Sequence, residues 1–140
     1  MSQDRERFQE RVEELVAQFE REVDSNEWVT RRYQKRMRDD DRTVYEVPAL
    51  YLQKGPVKLL LDPTGYHVVG AEAGADLYLM PTYDPTVFFF HENGQWTLYF
   101  APSLESIEMP PVDTAEGLPL TKATINQALN SIADHAVPSV

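Results

Sequence analysis

The stretch from Val87 to Phe100, VFFFHENGQWTLYF, constrains the fold more than any other, because it predicts a β-hairpin of defined register. Asn93-Gly94 separates two runs of aromatic and β-branched residues. Such a two-residue loop is typical of a type I′ turn, which needs positive φ at both central residues. Asn tolerates that conformation, and Gly has no Cβ to oppose it. The predicted register pairs Val87 with Phe100 and continues residue by residue to the loop.

Side chains alternate between the two faces of a strand, so this register divides the hairpin into two faces. One face is apolar and predicts a core face, with a histidine near the loop: Val87, Phe89, His91, Trp96, Leu98 and Phe100. The other is polar near the loop but aromatic in its middle: Phe88, Phe90, Glu92, Gln95, Thr97 and Tyr99. The outer face of a one-sided antiparallel sheet is normally polar. The aromatic middle therefore predicts a cover, most often a helix of the same chain, with a second subunit or a ligand as alternatives.

Apolar periodicity predicts a helix near each end of the chain. Residues 3–24 carry apolar side chains at spacings of three and four, which form a single stripe: Phe8, Val12, Leu15, Val16, Phe19 and Val23. Thr121 is a suitable N-cap for a second helix over 122–136. The apolar stripe of that helix is Ile125, Leu129 and Ile132, widened by Ala128, Ala133 and Ala136.

Strand patterns fill the middle of the chain. They predict strands over Thr43–Gln53, Val57–Leu61, Tyr66–Val69 and Asp76–Tyr83. Pro48 lies inside the first and removes a ladder donor, so that strand is expected at an edge or at a bulge. Asp62-Pro63-Thr64-Gly65 fits a type I turn. Residues 28–38 fit either a helix or a strand, and 101–119 predict a loop with a short element around Leu104–Ile107.

These elements predict one α+β domain over residues 1–140. Its core is a single, mostly antiparallel sheet of about five or six strands, packed by an N-terminal and a C-terminal helix. A chain of 140 residues is long enough to bury a core of this kind.

Composition narrows the classes of function. The net charge of −10 argues against nucleic-acid binding, which needs a basic face. No apolar run is long enough to cross a bilayer, so no membrane segment is expected. The chain contains no cysteine, which excludes disulfides and thiolate chemistry and fits a cytoplasmic location. Beyond residue 42 only Lys54, Lys58 and Lys122 are basic, so the sheet part is the acidic part.

No pattern predicts catalysis, a metal site or a cofactor. The histidines, His67, His91 and His135, lack the spacing of a zinc helix, and His91 is expected to be a structural core histidine. Asp39-Asp40-Asp41 lacks the alternating ligands of a calcium loop. A basic cluster covers Arg31, Arg32, Lys35, Arg36 and Arg38. In so acidic a chain, it is expected to be a solvated face or to pair with acidic residues.

The function predicted from these observations is that of a non-enzymatic protein-interaction module, bound to a partner or to a second copy of itself. Its size, acidity and order of elements are similar to those of small acidic secretion chaperones and of nuclease-immunity proteins, without a shared motif. The alternative is an enzyme or small-ligand binder with a pocket between sheet and helix, where Asp76 or His91 would be the polar group. The predicted binding residues are Phe88, Phe90, Tyr99, Tyr78 and Met80.

Overall fold

The computed structural model describes residues 2–66, 72–101 and 117–136 of the chain. Two helices flank a run of strands: α1 (Ser2–Glu22), β1 (Val29–Arg38), β2 (Val44–Lys54), β3 (Val57–Gly65), β4 (Ala73–Leu79), β5 (Asp84–Glu92), β6 (Gln95–Phe100), β7 (Leu118–Pro119) and α2 (Lys122–Ala136). The strands form one antiparallel sheet in which each is the neighbour of the next along the chain. The α+β prediction is confirmed, but the sheet has seven strands rather than five or six.

Both helices pack on one face of the sheet through the apolar stripes that the sequence predicts. The six residues of the first stripe are all buried, five of them in α1 and Val23 just after its end, and Ile125, Leu129 and Ile132 of α2 are each 0 % exposed. All of these side chains belong to one core cluster together with sheet residues such as Leu61 and Leu77. Thr121 caps α2, because its Oγ1 accepts a hydrogen bond from the Thr124 N–H at 3.1 Å. Apolar burial on this face therefore fixes both helices against the sheet.

The predicted hairpin is confirmed in register and in turn geometry. Val87 pairs with Phe100, and each pair down to Glu92 and Gln95 follows in step. Asn93 and Gly94 have φ values of 52° and 79°, the positive values that a type I′ turn requires. The face predicted to be apolar points into the core, where Phe89 is 1 % exposed.

Residues 28–38, which fitted either element, form the edge strand β1. Trp28 itself is buried in the core just before the strand. Every residue of β1 pairs with one of β2 in unbroken register, from Val29–Gln53 to Arg38–Val44. Long-range pairing settles an ambiguity that periodicity alone left open.

The prediction of a type I turn over Asp62–Gly65 is wrong, because these residues continue β3. Asp62 pairs with Asp76 and Pro63 with Ala75, and the ladder is irregular only between Pro63 and Gly65. Proline is tolerated here since the pairs between β2 and β3 end at Leu50–Leu61 and leave this end of β3 open on one side.

Pro48 occupies the matching position on β2. It pairs with Gln34 of β1 but lies beyond the last β2–β3 pair, so its missing N–H interrupts no ladder on that side. The prediction of an edge strand or a bulge is wrong, because β2 is an inner strand whose pairs with β1 and β3 show no register shift. Two prolines mark the place where β2 and β3 separate.

Some predictions fall outside the described residues. They are the element around Leu104–Ile107, His67, and most of the strand over Tyr66–Val69, of which Tyr66 alone is described and lies in a bend after β3. No helix in the described ranges is both long enough and apolar enough to span a bilayer.

Candidate functional site

The face of the sheet opposite the helices carries the aromatic side chains that the sequence singled out. None of them belongs to the core cluster that contains α1 and α2, and their side chains are half-buried. No described helix packs on this surface, and we call it the helix-free face. It comprises Tyr33, Lys35, Tyr51, Asp62, Asp76, Tyr78, Phe88, Phe90, Glu92 and Tyr99. The sequence favoured a helix of the same chain as the cover of this face, but neither α1 nor α2 covers it.

The aromatic side chains of this face contact one another in pairs across neighbouring strands. Tyr33 stacks on Tyr51 with ring centroids 5.2 Å apart. Phe90 meets Tyr99 edge to face at 5.6 Å. Such pairs add to the stability of a sheet and hold large rings in defined positions. The face therefore presents a fixed aromatic surface that extends from β1 to β6.

Two carboxylates on this face are held by tyrosine hydroxyls. The Tyr78 hydroxyl donates to Asp76 Oδ2 at 2.9 Å, and the Tyr99 hydroxyl donates to Glu92. Burial and the bond to Asp76 raise the pKa of Tyr78 to about 12, and the bond to Glu92, with burial, raises the pKa of Tyr99. Neither carboxylate forms an ion pair with any described residue. Both acids are thus oriented but not neutralised.

Asp76 stands at the centre of the face. Its strand neighbours are Asp62 on one side and Phe88 on the other. Burial, helped by the charge of Asp62, raises the pKa of Asp76 above its ordinary value, against the hydrogen bond from Tyr78 and the charge of Lys35. An anion in such a place is disfavoured, and a cation supplied from outside would relieve that cost.

Asp62, in contrast, already has a cation. Lys35 Nζ lies 2.7 Å from Asp62 Oδ1 and donates to the Pro63 carbonyl oxygen at 2.6 Å. The lysine comes from β1 and reaches β3 where β2 and β3 have separated. This interaction needs the chain to be folded, since Lys35 and Asp62 are distant in sequence.

His91 lies on the opposite side of the sheet, in the helix-covered core, as predicted. It packs edge to face on Trp96 at 5.4 Å, and its Nδ1 lies 3.6 Å from Glu72 Oε1. Burial and the charge of Arg11 lower its pKa, so the neutral imidazole is favoured. Of the two polar groups considered for an aromatic pocket, only Asp76 shares a face with the aromatic residues.

The structure brings Tyr78, Phe88, Phe90 and Tyr99 onto one face. Met80 follows β4 in a turn, where its N–H donates to the Lys58 carbonyl oxygen. The sequence prediction missed the members that β1 to β3 contribute. The available signal was the alternation of Tyr33 and Lys35, which places both side chains on one face only if residues 29–38 are assigned to a strand.

Other clefts carry different chemistry. One of about 780 Å³ lies where the end of α1 meets α2 and the β2–β3 turn. Its lining is mostly charged or amide side chains, among them Arg21, Asp24, Lys54, Lys122 and Asn126. The described part of the chain contains no group of three or more histidine, aspartate or glutamate side chains arranged to hold a metal ion.

Comparison with known proteins adds no assignment. No protein-family model, curated protein or solved structure matches this chain. The geometry of the helix-free face is therefore the basis for a functional proposal.

Proposed function

We propose that this chain is a non-enzymatic protein-binding module that holds a partner protein on the helix-free face of its sheet. The partner presents an arginine or lysine side chain to Asp76, between the rings of Tyr78 and Phe88. The observation that carries the proposal is the pair of tyrosine-held carboxylates, Asp76 and Glu92, that form no ion pair with any described residue.

Aromatic side chains and an oriented carboxylate together suit a cationic side chain. A guanidinium gains from a ring face through cation–π attraction and from a carboxylate through a charge-assisted hydrogen bond. Tyrosines are also enriched at the centres of protein interfaces, because they offer large contact area at little conformational cost. The rings come from five of the strands, from Tyr33 on β1 to Tyr99 on β6, and such a spread favours a macromolecular partner over a small ligand.

Charge favours a basic partner over a second copy of this chain. Each copy carries a net charge of −10, which opposes self-association and attracts a basic surface. Two helix-free faces placed together would also bring uncompensated carboxylates close to one another. We place the interaction in the cytoplasm, which suits a chain without cysteine.

A binding titration tests the proposal. The probe is a fluorescein-labelled octapeptide in which arginine alternates with tyrosine, and the readout is fluorescence anisotropy. Asp76→Asn should weaken binding by roughly tenfold, because it removes the charge that faces the arginine. Asp134→Asn is the matched control, since it removes the same charge from an exposed position on α2. Equal binding by the two variants would show that the peptide responds only to net charge, and would overturn the proposal.

The solution mass separates the proposed partner from a second copy. We expect a monomer by light scattering for the wild type and for Phe88→Glu, both folded. Val44→Glu, at an exposed position outside the face, is the control for an added acid. A wild-type dimer that Phe88→Glu converts into a folded monomer would assign the face to a second copy instead.

A further inference from the structure

Strand β1 forms a free edge of the sheet in the described part of the chain. Its ten residues pair with β2 on one side, and no described strand pairs with the other side. In an antiparallel ladder every second residue turns its N–H and C=O groups away from the neighbouring strand. A long edge of this kind is a template for another strand.

The basic residues of β1 divide into two groups. Arg32 binds Glu13 at 2.7 Å and Glu20 at 2.5 Å on α1, and Lys35 binds Asp62. The three others are exposed and form no ion pair with any residue that the structure describes: Arg31, Arg36 and Arg38. Arg36 stands opposite Glu46 in the ladder, yet the two make no ion pair. Folding therefore neutralises part of the cluster and leaves three guanidinium groups on the edge strand, with Arg31 on one face and Arg36 and Arg38 on the other.

We propose that the outer edge of β1 binds an extended acidic segment of a partner protein, which adds an eighth strand to the sheet. The outward backbone groups would pair with the main chain of the segment, and Arg31, Arg36 and Arg38 would bind its carboxylates. Main-chain pairing supplies affinity in this mode of recognition, and side chains supply specificity. Arginine suits the role because its planar donors match a carboxylate.

Charge and main-chain pairing select this occupant over the two others that the edge suggests. Pairing of β1 with β1 of a second copy would set arginines against arginines, which is unfavourable. A nucleic acid would meet the same guanidinium groups, but it has no peptide main chain to pair with the outward N–H and C=O groups of β1. An acidic peptide strand uses both the backbone edge and the guanidinium groups.

This proposal is independent of the one for the helix-free face, because it concerns another surface and a partner segment of opposite charge. Charged side chains on an edge strand also protect a sheet from unwanted pairing. A purely protective role predicts that no strand binds β1, so the same experiment decides between the two roles.

The probe is a fluorescein-labelled octapeptide in which glutamate alternates with valine, and the readouts are fluorescence anisotropy and amide hydrogen exchange. We expect saturable binding that slows exchange of amides in β1. Arg31→Glu, Arg36→Glu and Arg38→Glu together should weaken binding on the order of tenfold or more. The same peptide with lysine in place of glutamate should not slow exchange of amides in β1.

Two controls make the result specific. A variant with Arg7→Glu, Arg21→Glu and Lys122→Glu changes the net charge by the same amount away from β1 and should bind like the wild type. Two further peptides carry N-methyl groups on alternate amides, one at the odd positions and the other at the even positions. At least one of the two should not bind, because strand pairing needs the N–H groups of one set. This second control needs no variant of the protein to fold.

Three outcomes would overturn the proposal. The first is no binding of the glutamate–valine peptide to the wild type, which assigns the arginines a protective role. The second is equal binding of both N-methylated peptides, which excludes strand pairing. The third is a single-stranded oligonucleotide that competes with the peptide at equal affinity, which would identify β1 as a site for polyanions.

Discussion

The two faces of the sheet are built from the same strands, one residue apart, and they differ in almost every physical respect. On the helix-covered face, Leu61, Leu77 and Val87 are each 0 % exposed and pack with both helices. On the helix-free face, their neighbours in sequence are half-buried and polar or aromatic, such as Asp62, Tyr78 and Phe88. The first face holds the fold together, and the second is the face to which we assign the proposed recognition. Because successive side chains of a strand point to opposite faces, the same strands can contribute to both faces.

The adjacent residues Phe88 and Phe89 test this division most strongly. Phe89 is 1 % exposed, and its ring lies 5.5 Å from that of Phe19 on α1. We expect Phe89→Ala to lower the free energy of unfolding by about 3–5 kcal/mol, because it leaves a cavity in the core. Phe88→Ala removes a half-buried ring from the helix-free face and should cost only about 1 kcal/mol.

Urea unfolding followed by circular dichroism measures both variants under one condition. The pair is its own control, since the substitutions are chemically identical and one residue apart. Equal losses would contradict the division, because they would mean that Phe88 is packed as tightly as Phe89.

The sequence predicts best what local chemistry determines. The register of the β5–β6 hairpin follows from Asn93-Gly94, because only a few turns accept two residues with positive φ. The buried stripe of α1 follows from the spacing of residues such as Phe8 and Phe19. In both cases the information lies within a few residues of the element it specifies.

Long-range contacts explain what the sequence did not predict. Asp62-Pro63 satisfies the local rules for a turn, but it lies in a strand because Asp62 pairs with Asp76 of β4. The composition of β1 is ambiguous until β2 pairs with it. The candidate site needs both events, since Lys35 and Asp62 meet only when β1 and β3 share a sheet. The part of the face on β5 and β6, Glu92 included, could be predicted from the hairpin, whereas the part on β1 to β3 could not.

His91 gives the helix-covered face a dependence on pH. Its pKa is lowered from 6.5 by burial and by Arg11, against the opposing charges of Glu72 and Glu14. The unfolded chain therefore takes up a proton at a higher pH than the folded protein does. The contribution of His91 to the free energy of unfolding should be fully present above about pH 6.5. It should fall as the pH decreases from 6.5 towards the lower pKa of His91 in the folded state.

Urea midpoints between pH 7.5 and pH 5 would measure the effect of His91, which we expect to be smaller than the loss in Phe89→Ala. His91→Phe removes the titrating group and should reduce the slope of stability against pH in this range. His135→Gln, at an exposed position on α2, is the control and should keep the wild-type slope. A slope that His91→Phe leaves unchanged would assign the pH dependence to other groups.

Asp76 gives the helix-free face a dependence on pH of the opposite sign, and it should have the smallest effect on stability. Its pKa is raised above 3.8 chiefly by burial, so the folded protein favours the protonated acid. The contribution of this group to stability is present below pH 3.8 and is lost as the pH rises through its pKa in the folded state. Asp76→Asn removes the unfavourable charge and keeps an oxygen that can accept the Tyr78 hydroxyl, so it should stabilise the protein at pH 7. This advantage should shrink as the pH is lowered to 4, whereas Asp134→Asn should show no such trend.

A residue that binds a partner is often retained at a cost to stability. A variant that is more stable but binds the arginine peptide less well would show that cost directly, while a less stable Asp76→Asn would mean that Lys35 and Tyr78 already compensate the carboxylate.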